Sequence, residues 1–300
     1  MSDDRRAPMR AMPWVFVLIW STGFVVARFG MPHAPPLSFL AIRFALSVLC
    51  FGIWIGLARA AWPRGRAAWL HLAVSGVLMH AGYLGGVWAA VKAGLGAGTV
   101  ALLVGLQPML TALWVTGQAA RGVTQPAHGR VSRGQWLGLL LGLAGLTLVV
   151  WRKLGVGEVT APNLALALFA LLSITIGTLY QKRFVAPCDV RTANTVQLLA
   201  ALVVTLPLAW LETEAVVWHP HLIGAMLWSV VVLTLGGSSL LYLLIQRGAA
   251  TRVTSLLYLV PPCTAGLAWV LFGESFTLAM LTGMALTVLG VALVVRAPTR

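Results

Sequence analysis

Gly98-Thr99-Val100-Ala101-Leu102-Leu103, followed by Gln107-Pro108, recurs as Arg252-Val253-Thr254-Ser255-Leu256-Leu257, followed by Pro261-Pro262. Pro262 stands 154 positions after Pro108, about half of the 300-residue chain. Further landmarks repeat in the same order. Gly138 and Gly145 lead into Leu148-Val149-Val150, as Gly283 and Gly290 lead into Leu293-Val294-Val295, at an offset of 145. Ser21 matches Ser173 at an offset of 152. The first half carries its extra residues in the longer connection at 118–134. A repeat of this length changes the reading of a chain more than any single residue.

The repeats are built for lipid. The chain is 59% hydrophobic and 9% charged, with a mean hydropathy of +0.90, where soluble domains carry roughly 25% charged residues. This excludes intrinsic disorder, which needs low hydrophobicity, and the 31 glycines follow no collagen-like period. Ten apolar stretches are each near the ~20 residues that a membrane crossing needs. They fall at about 13–30, 37–57, 68–91, 95–117, 135–151, 163–181, 192–211, 221–245, 253–273 and 276–295. Short connections leave no room for a soluble catalytic head, and the stretches are too long for the ~10-residue strands of a membrane barrel. The first stretch follows Arg5, Arg6 and Arg10 like a signal peptide, but no small-residue cleavage site follows it, so it reads as a retained helix.

Five crossings per repeat is an odd number, so the two copies must enter the membrane from opposite sides. The charges agree, connection by connection. Arg59, Arg64 and Arg66 follow the second span, and Glu212 and Glu214 follow the seventh. Arg121, Arg130 and Arg133 follow the fourth, and Glu274 alone follows the ninth. With the N-terminus inside, 16 of the 21 basic residues fall on the cytoplasmic side and four (Arg28, Lys92, Arg152, Lys153) outside, with Arg43 within a span. That bias follows the positive-inside rule and places both termini in the cytoplasm. The net charge of +14 therefore reports orientation and not affinity for nucleic acid. The expected architecture is an all-α integral membrane protein of ten transmembrane helices. It comprises a cytoplasmic tail at 1–12, a first five-helix repeat at 13–152 and an inverted second at 163–296, around a central cavity. Inverted repeats of this kind point to a secondary transporter.

Trp20-Ser21 in the first span, Ala41-Ile42-Arg43-Phe44 in the second and the Gln107-Pro108 turn of the fourth carry a family resemblance. So do Pro261-Pro262, Gly273-Glu274, Gly283 and Gly290 in the last two spans. Across 13–296 the chain resembles the drug/metabolite transporter superfamily, in its ten-helix branch of paired EamA-type domains. It is similar to bacterial exporters of aromatic amino acids and of other amino acids and metabolites. The resemblance implies export of small organic solutes across the bacterial inner membrane by alternating access. It does not fix the substrate, because the superfamily includes carriers of sugar phosphates, nucleotide sugars and drugs, nor does repeat symmetry separate export from uptake.

Polar and aromatic residues within the spans are the substrate-binding candidates, since polar groups avoid lipid. His80, Tyr83 and Leu84 share one helical face of the third span, either lining a path or pairing two helices. Trp20, Ser21 and Phe24 form a similar face in the first, and Gln107 stands at the turn of the fourth. Ser239 and Tyr242 in the eighth span and Ser255 and Tyr258 in the ninth repeat a three-residue spacing that also suits packing. Arg43 either anchors a substrate carboxylate or plays a structural part, pairing with carbonyls or snorkelling to the outer interface. Pro108, Pro261 and Pro262 are hinge candidates, or static kinks. Gly52/Gly56 and Gly138/Gly142 read as close helix contacts, and Trp62, Trp69, Trp136, Trp151 and Trp218 as interface belts.

Other chemistry has little support. None of the seven acids lies deep in a span, which leaves His80 and Glu274 as candidates for proton coupling. No GxxxxGK[ST] motif indicates ATP. Cys50, Cys188 and Cys263 read as packing residues. His219 and His221 share a connection with Glu212 and Glu214 without metal or triad spacing, so neither an enzyme nor a metal or other cofactor is expected. The expected partners are a small-molecule substrate and the bilayer, with the protein acting as a monomer.

Overall fold

Every regular element of the computed structural model is helical across the residues it describes, which are 6–120, 133–155, 157–240, 259–274 and 277–296. In chain order these are α1 (Arg6–Gly30), α2 (Pro36–Ala58), α3 (Arg66–Lys92) and α4 in two pieces (Ala97–Val104 and Gln107–Ala120). There follow α5 (Arg133–Gly155), α6 (Ala161–Phe184), α7 (Val190–Ala209), α8 (Pro220–Leu240), α9 (Val260–Phe272) and α10 (Leu278–Arg296). Among the described residues seven helices are long and apolar enough to cross a membrane, and α1, α9 and α10 add shorter apolar stretches. A described helix falls within each of the ten expected spans.

Local chemistry sets the ends of these helices. Pro36 opens α2, where its fixed φ and missing N–H cost nothing. The Glu212 carboxylate, from the second repeat, accepts from Leu37 N at 2.9 Å and Ser38 N at 2.7 Å in the same turn. Thr160 and Asn163 form a reciprocal capping box on α6. Gly273 closes α9 in the left-handed conformation, φ 66°, which glycine adopts without steric cost.

Close contacts tie the repeats together. A Cβ on Gly290 would fall 2.9 Å from Gly142 Cα and collide with the Gly138 carbonyl, and one on Gly145 would collide with the Gly283 carbonyl. Only glycines let α5 and α10 approach so nearly. The 145-residue offset maps Gly138 onto Gly283 and Gly145 onto Gly290, so the two contacts exchange under the repeat symmetry. Gly52 and Gly56 are different. A Cβ on either meets nothing within 4 Å, and both are exposed. The expected close contact at that pair is corrected: these glycines lie on the outward face of α2, where Leu49, Ile53 and Leu57 are also exposed.

Large apolar side chains on the outside are expected when the surrounding solvent is lipid. Trp62, Trp69, Trp136, Trp151 and Trp218 are all exposed. Inside, Phe39 stacks on Trp88 with ring centres 4.2 Å apart, and Phe16, Phe44 and Phe51 are fully buried.

The helices α3 and α8, which correspond between the repeats, both widen to π-helix at mid-length, over Val77–Gly82 and Trp228–Gly237. Such bulges arise where a side chain enters the i→i−4 ladder, and they recur at functional sites. In α8 the Thr234 hydroxyl donates to Ser229 O at 2.8 Å, five residues back. In α3 the Leu78 carbonyl accepts from Ser173 of α6 at 2.9 Å.

Candidate functional site

Arg43 is the eighth of the 23 residues of α2 and is 6% exposed. Its Nε and Nη2 donate to Thr234 Oγ1 of α8 at 3.3 and 3.1 Å. The guanidinium also lies 6.0 Å over the Trp88 ring and within electrostatic reach of His80 and Tyr83. Among the described residues no carboxylate comes within ion-pair distance of it, since the pairs found there use Arg28, Lys92, Lys153 and Arg191. Its hydrogen-bond partner among the described residues is thus a hydroxyl of the opposite repeat.

A second polar pair mirrors the first. His80, in the π segment of α3, lies near Gln197 of α7. The Gln197 amide donates to Ser75 Oγ at 2.9 Å and to Gln181 Oε1 at 3.1 Å. Gln197 follows Arg43 by 154 residues and Thr234 follows His80 by the same 154, the offset of the proline turns. Arg43 with Thr234 and Gln197 with His80 are thus corresponding contacts, each joining the second helix of one repeat to the π segment of the other.

Three serine hydroxyls on the helices of the first pair are unpaired. Ser47 Oγ, one helical turn from Arg43, is fully buried and has no partner among the described residues; the same holds for Ser229 Oγ and Ser239 Oγ on α8. Buried polar groups normally find partners, so hydrogen-bonding capacity is left open on α2 and α8, the two helices that Arg43 and Thr234 join. Sequence reading missed Ser47, Gln197, Ser229 and Thr234. For Gln197 and Thr234 the signal was present in the 154-residue offset, which carries Arg43 onto Gln197 and His80 onto Thr234.

The other candidates are distributed as follows. Tyr83 is buried and Leu84 partly buried on α3, and the His80 ring meets Phe44 edge-on at 6.2 Å. Trp20 lies against Phe16 at 5.2 Å and beside Gly237 of α8, and Phe24 is in the core. Ser21 is engaged otherwise: its hydroxyl donates to Val17 O at 2.7 Å and its carbonyl accepts from Thr264 of α9 at 3.1 Å. The Gln107 amide donates to Thr178 Oγ1 of α6 at 3.1 Å. Pro108 sits at the start of the second piece of α4, and a Cβ on Gly105 would lie 2.8 Å from Pro261 Cγ, so the two proline turns meet across the repeats. Pro261 and Pro262 occupy the first turn of α9 as described, where no ladder bond is lost. Tyr242, Ser255 and Tyr258 lie outside the described residues.

The model of the EamA-like transporter family matches residues 12–151 and again 162–296. The chain belongs to that family. Curated relatives span nearly all of it at 26% identity. An uncharacterized transporter, YvbV, of Bacillus subtilis aligns over 93% of this chain and 88% of its own length. A probable amino-acid metabolite efflux pump of Salmonella typhimurium aligns over 91% and 90%. An uncharacterized inner membrane transporter, YedA, of Escherichia coli aligns over 96% and 90%. A solved crystal structure shares the fold with a TM-score of 0.63 at 21% identity, over 94% of this chain and 95% of that one. This EamA-type protein is therefore a multi-pass membrane transporter for a small molecule, from a transporter family and not an enzyme family.

Proposed function

We propose that this EamA-type protein exports neutral amino acids or closely related metabolites across the bacterial inner membrane by alternating access, with both termini in the cytoplasm. The carrying observation is Arg43. Burying a charge without a counter-ion costs several kcal/mol, and Arg43 has one hydroxyl partner and an aromatic ring as its described company. A substrate carboxylate would supply the missing anion through a charge-assisted hydrogen bond. Ser47, Ser229 and Ser239 offer hydroxyls for its remaining polar atoms, and Tyr83, Phe44 and Trp20 offer aromatic wall for a variable side chain.

The same composition disfavours phosphate, which calls for clustered Arg or Lys, whereas Arg43 is the one base in the middle of a span. Two corresponding polar pairs at the contact between repeats suit a site that both repeats must share as access alternates. The name of the Salmonella relative supports the substrate class and the direction.

Thermal unfolding of the purified protein with a panel of amino acids and sugar phosphates tests the assignment. Stabilisation by neutral amino acids, weakened in Tyr83→Ala and Trp20→Ala, is the expected result. Stabilisation by sugar phosphates and by no amino acid overturns it.

A further inference from the structure

At the end of the bundle that carries Glu158, Glu212, Glu214 and Glu274, three histidines from two separate connections meet. His33 lies between α1 and α2, and His219 and His221 lie at the start of α8. One potential ligand atom from each falls within 4.8 Å of the others. The His33 and His219 rings stack at 4.2 Å, and His219 and His221 meet edge to face at 4.7 Å. The backbone holds the connections in register, with Val217 N donating to His33 O at 2.8 Å. We propose that His33, His219 and His221 form a binding site for a borderline divalent metal ion, Zn²⁺ above all, that staples the first repeat to the second at this face.

The chemistry is specific. Three neutral imidazoles suit Zn²⁺, Ni²⁺, Co²⁺ or Cu²⁺ and offer little to Ca²⁺ or Mg²⁺, which prefer oxygen. Tetrahedral Zn–N bonds of 2.0–2.1 Å put ligand nitrogens ~3.4 Å apart, so 4.8 Å requires the rings to turn by about an ångström each. His33 and His219 are part-exposed and His221 is exposed, so turning meets little packing, and water can fill the fourth position. The nearby Lys92 ammonium is already paired with Glu214 at 2.5 Å and Met31 O at 2.8 Å. Ligation exchanges one contact. His219 Nδ1 accepts from His221 N at 3.2 Å, and a neutral imidazole has a single lone pair, so this weak cap bond is given up when His219 binds the ion. Sequence spacing could not reveal the site, because the third ligand lies 186 positions before His219.

The test uses tag-free full-length protein in detergent, with Zn²⁺ binding by equilibrium dialysis and Zn²⁺-dependent thermal stabilisation. Wild-type protein should bind one ion per chain and unfold at a higher temperature with Zn²⁺ but not with Ca²⁺. Loss of a hydrogen-bond partner behind a ligand alone costs about 10–100-fold in metal affinity, so His33→Gln and His221→Gln should each weaken Zn²⁺ binding by at least about tenfold and lose the stabilisation. Absorption of the wild-type Co²⁺ complex supplies a readout independent of the variants: intense visible bands report a four-coordinate nitrogen site. No Zn²⁺ binding by the wild type, or wild-type affinity retained in both variants, overturns the proposal.

Discussion

Arg43 of α2 and Thr234 of α8 come from opposite repeats and are joined by two hydrogen bonds of 3.3 and 3.1 Å to one hydroxyl oxygen. The corresponding residues, Gln197 and His80, face each other across the same contact between repeats. Each pair sets the second helix of one repeat against a π segment of the other, so any movement of one repeat past the other must rearrange both.

Thr234→Val removes the acceptor for Arg43 without changing side-chain size. The guanidinium is then left buried and unsatisfied, which costs about 1–3 kcal/mol. The melting temperature should fall, and saturating substrate should recover part of the loss, measured by thermal unfolding with and without ligand. Arg43→Lys keeps the charge but loses the planar fork, so substrate affinity should drop by at least about tenfold.

The glycine contact between α5 and α10 gives a paired expectation. Gly290→Ala places a methyl against the backbone of Gly138 and Gly142 and should destabilise by about 1–3 kcal/mol through overpacking. Gly52→Ala meets open space and should be neutral or slightly stabilising, since alanine is the better helix former. Thermal unfolding of the two variants side by side distinguishes packed from outward-facing glycine.

These glycines show how much of the fold was legible. Ten spans followed from apolar run length, and the landmark glycines at an offset of 145 pointed to α5 and α10. Two pairs with the same GxxxG spacing nevertheless behave oppositely, because spacing does not say which face of a helix meets protein and which meets lipid when both are apolar. The same ambiguity hid Gln197 and Thr234 among ordinary polar residues. The π segments were not legible, since no residue pattern of α3 marks the carbonyl that Ser173 of α6 bonds. Arg43 was visible as an oddity, but its partner lies 191 residues away and only the fold unites them.

Orientation is tested by reporter fusions. Arg28, Lys92 and Lys153 pair with Glu274, Glu214 and Glu158, all residues assigned to the outer side. Fusions at Arg64, Arg130, Arg191 and Arg252 should report cytoplasm, and those at Glu158 and Glu214 the opposite side. A cytoplasmic reading after Glu214 would falsify the inverted arrangement.

Asp189 supplies a pH expectation. Hydrogen bonds from the Arg191 side chain hold its carboxyl below the usual carboxylate range, with the Arg191 backbone N–H adding to the effect as Asp189 caps α7. A depressed folded pKa contributes stability that is complete above the unfolded value, ~3.9, and is lost as pH falls through the folded one. Asp189→Ala should cost about 1 kcal/mol at pH 7, as for loss of an N-cap. The gap between wild type and variant in thermal unfolding should close as pH is lowered below about 4.

The most direct measurement is efflux of labelled neutral amino acids from proteoliposomes, comparing wild-type protein with Arg43→Gln, with and without a pH gradient. Wild-type protein should speed the exit of several neutral amino acids and leave sugar phosphates behind, while Arg43→Gln, inserted at the same level, should lose most of that efflux. Sugar-phosphate movement with amino acids retained, or undiminished amino acid efflux in Arg43→Gln, would contradict a carboxylate site built on Arg43.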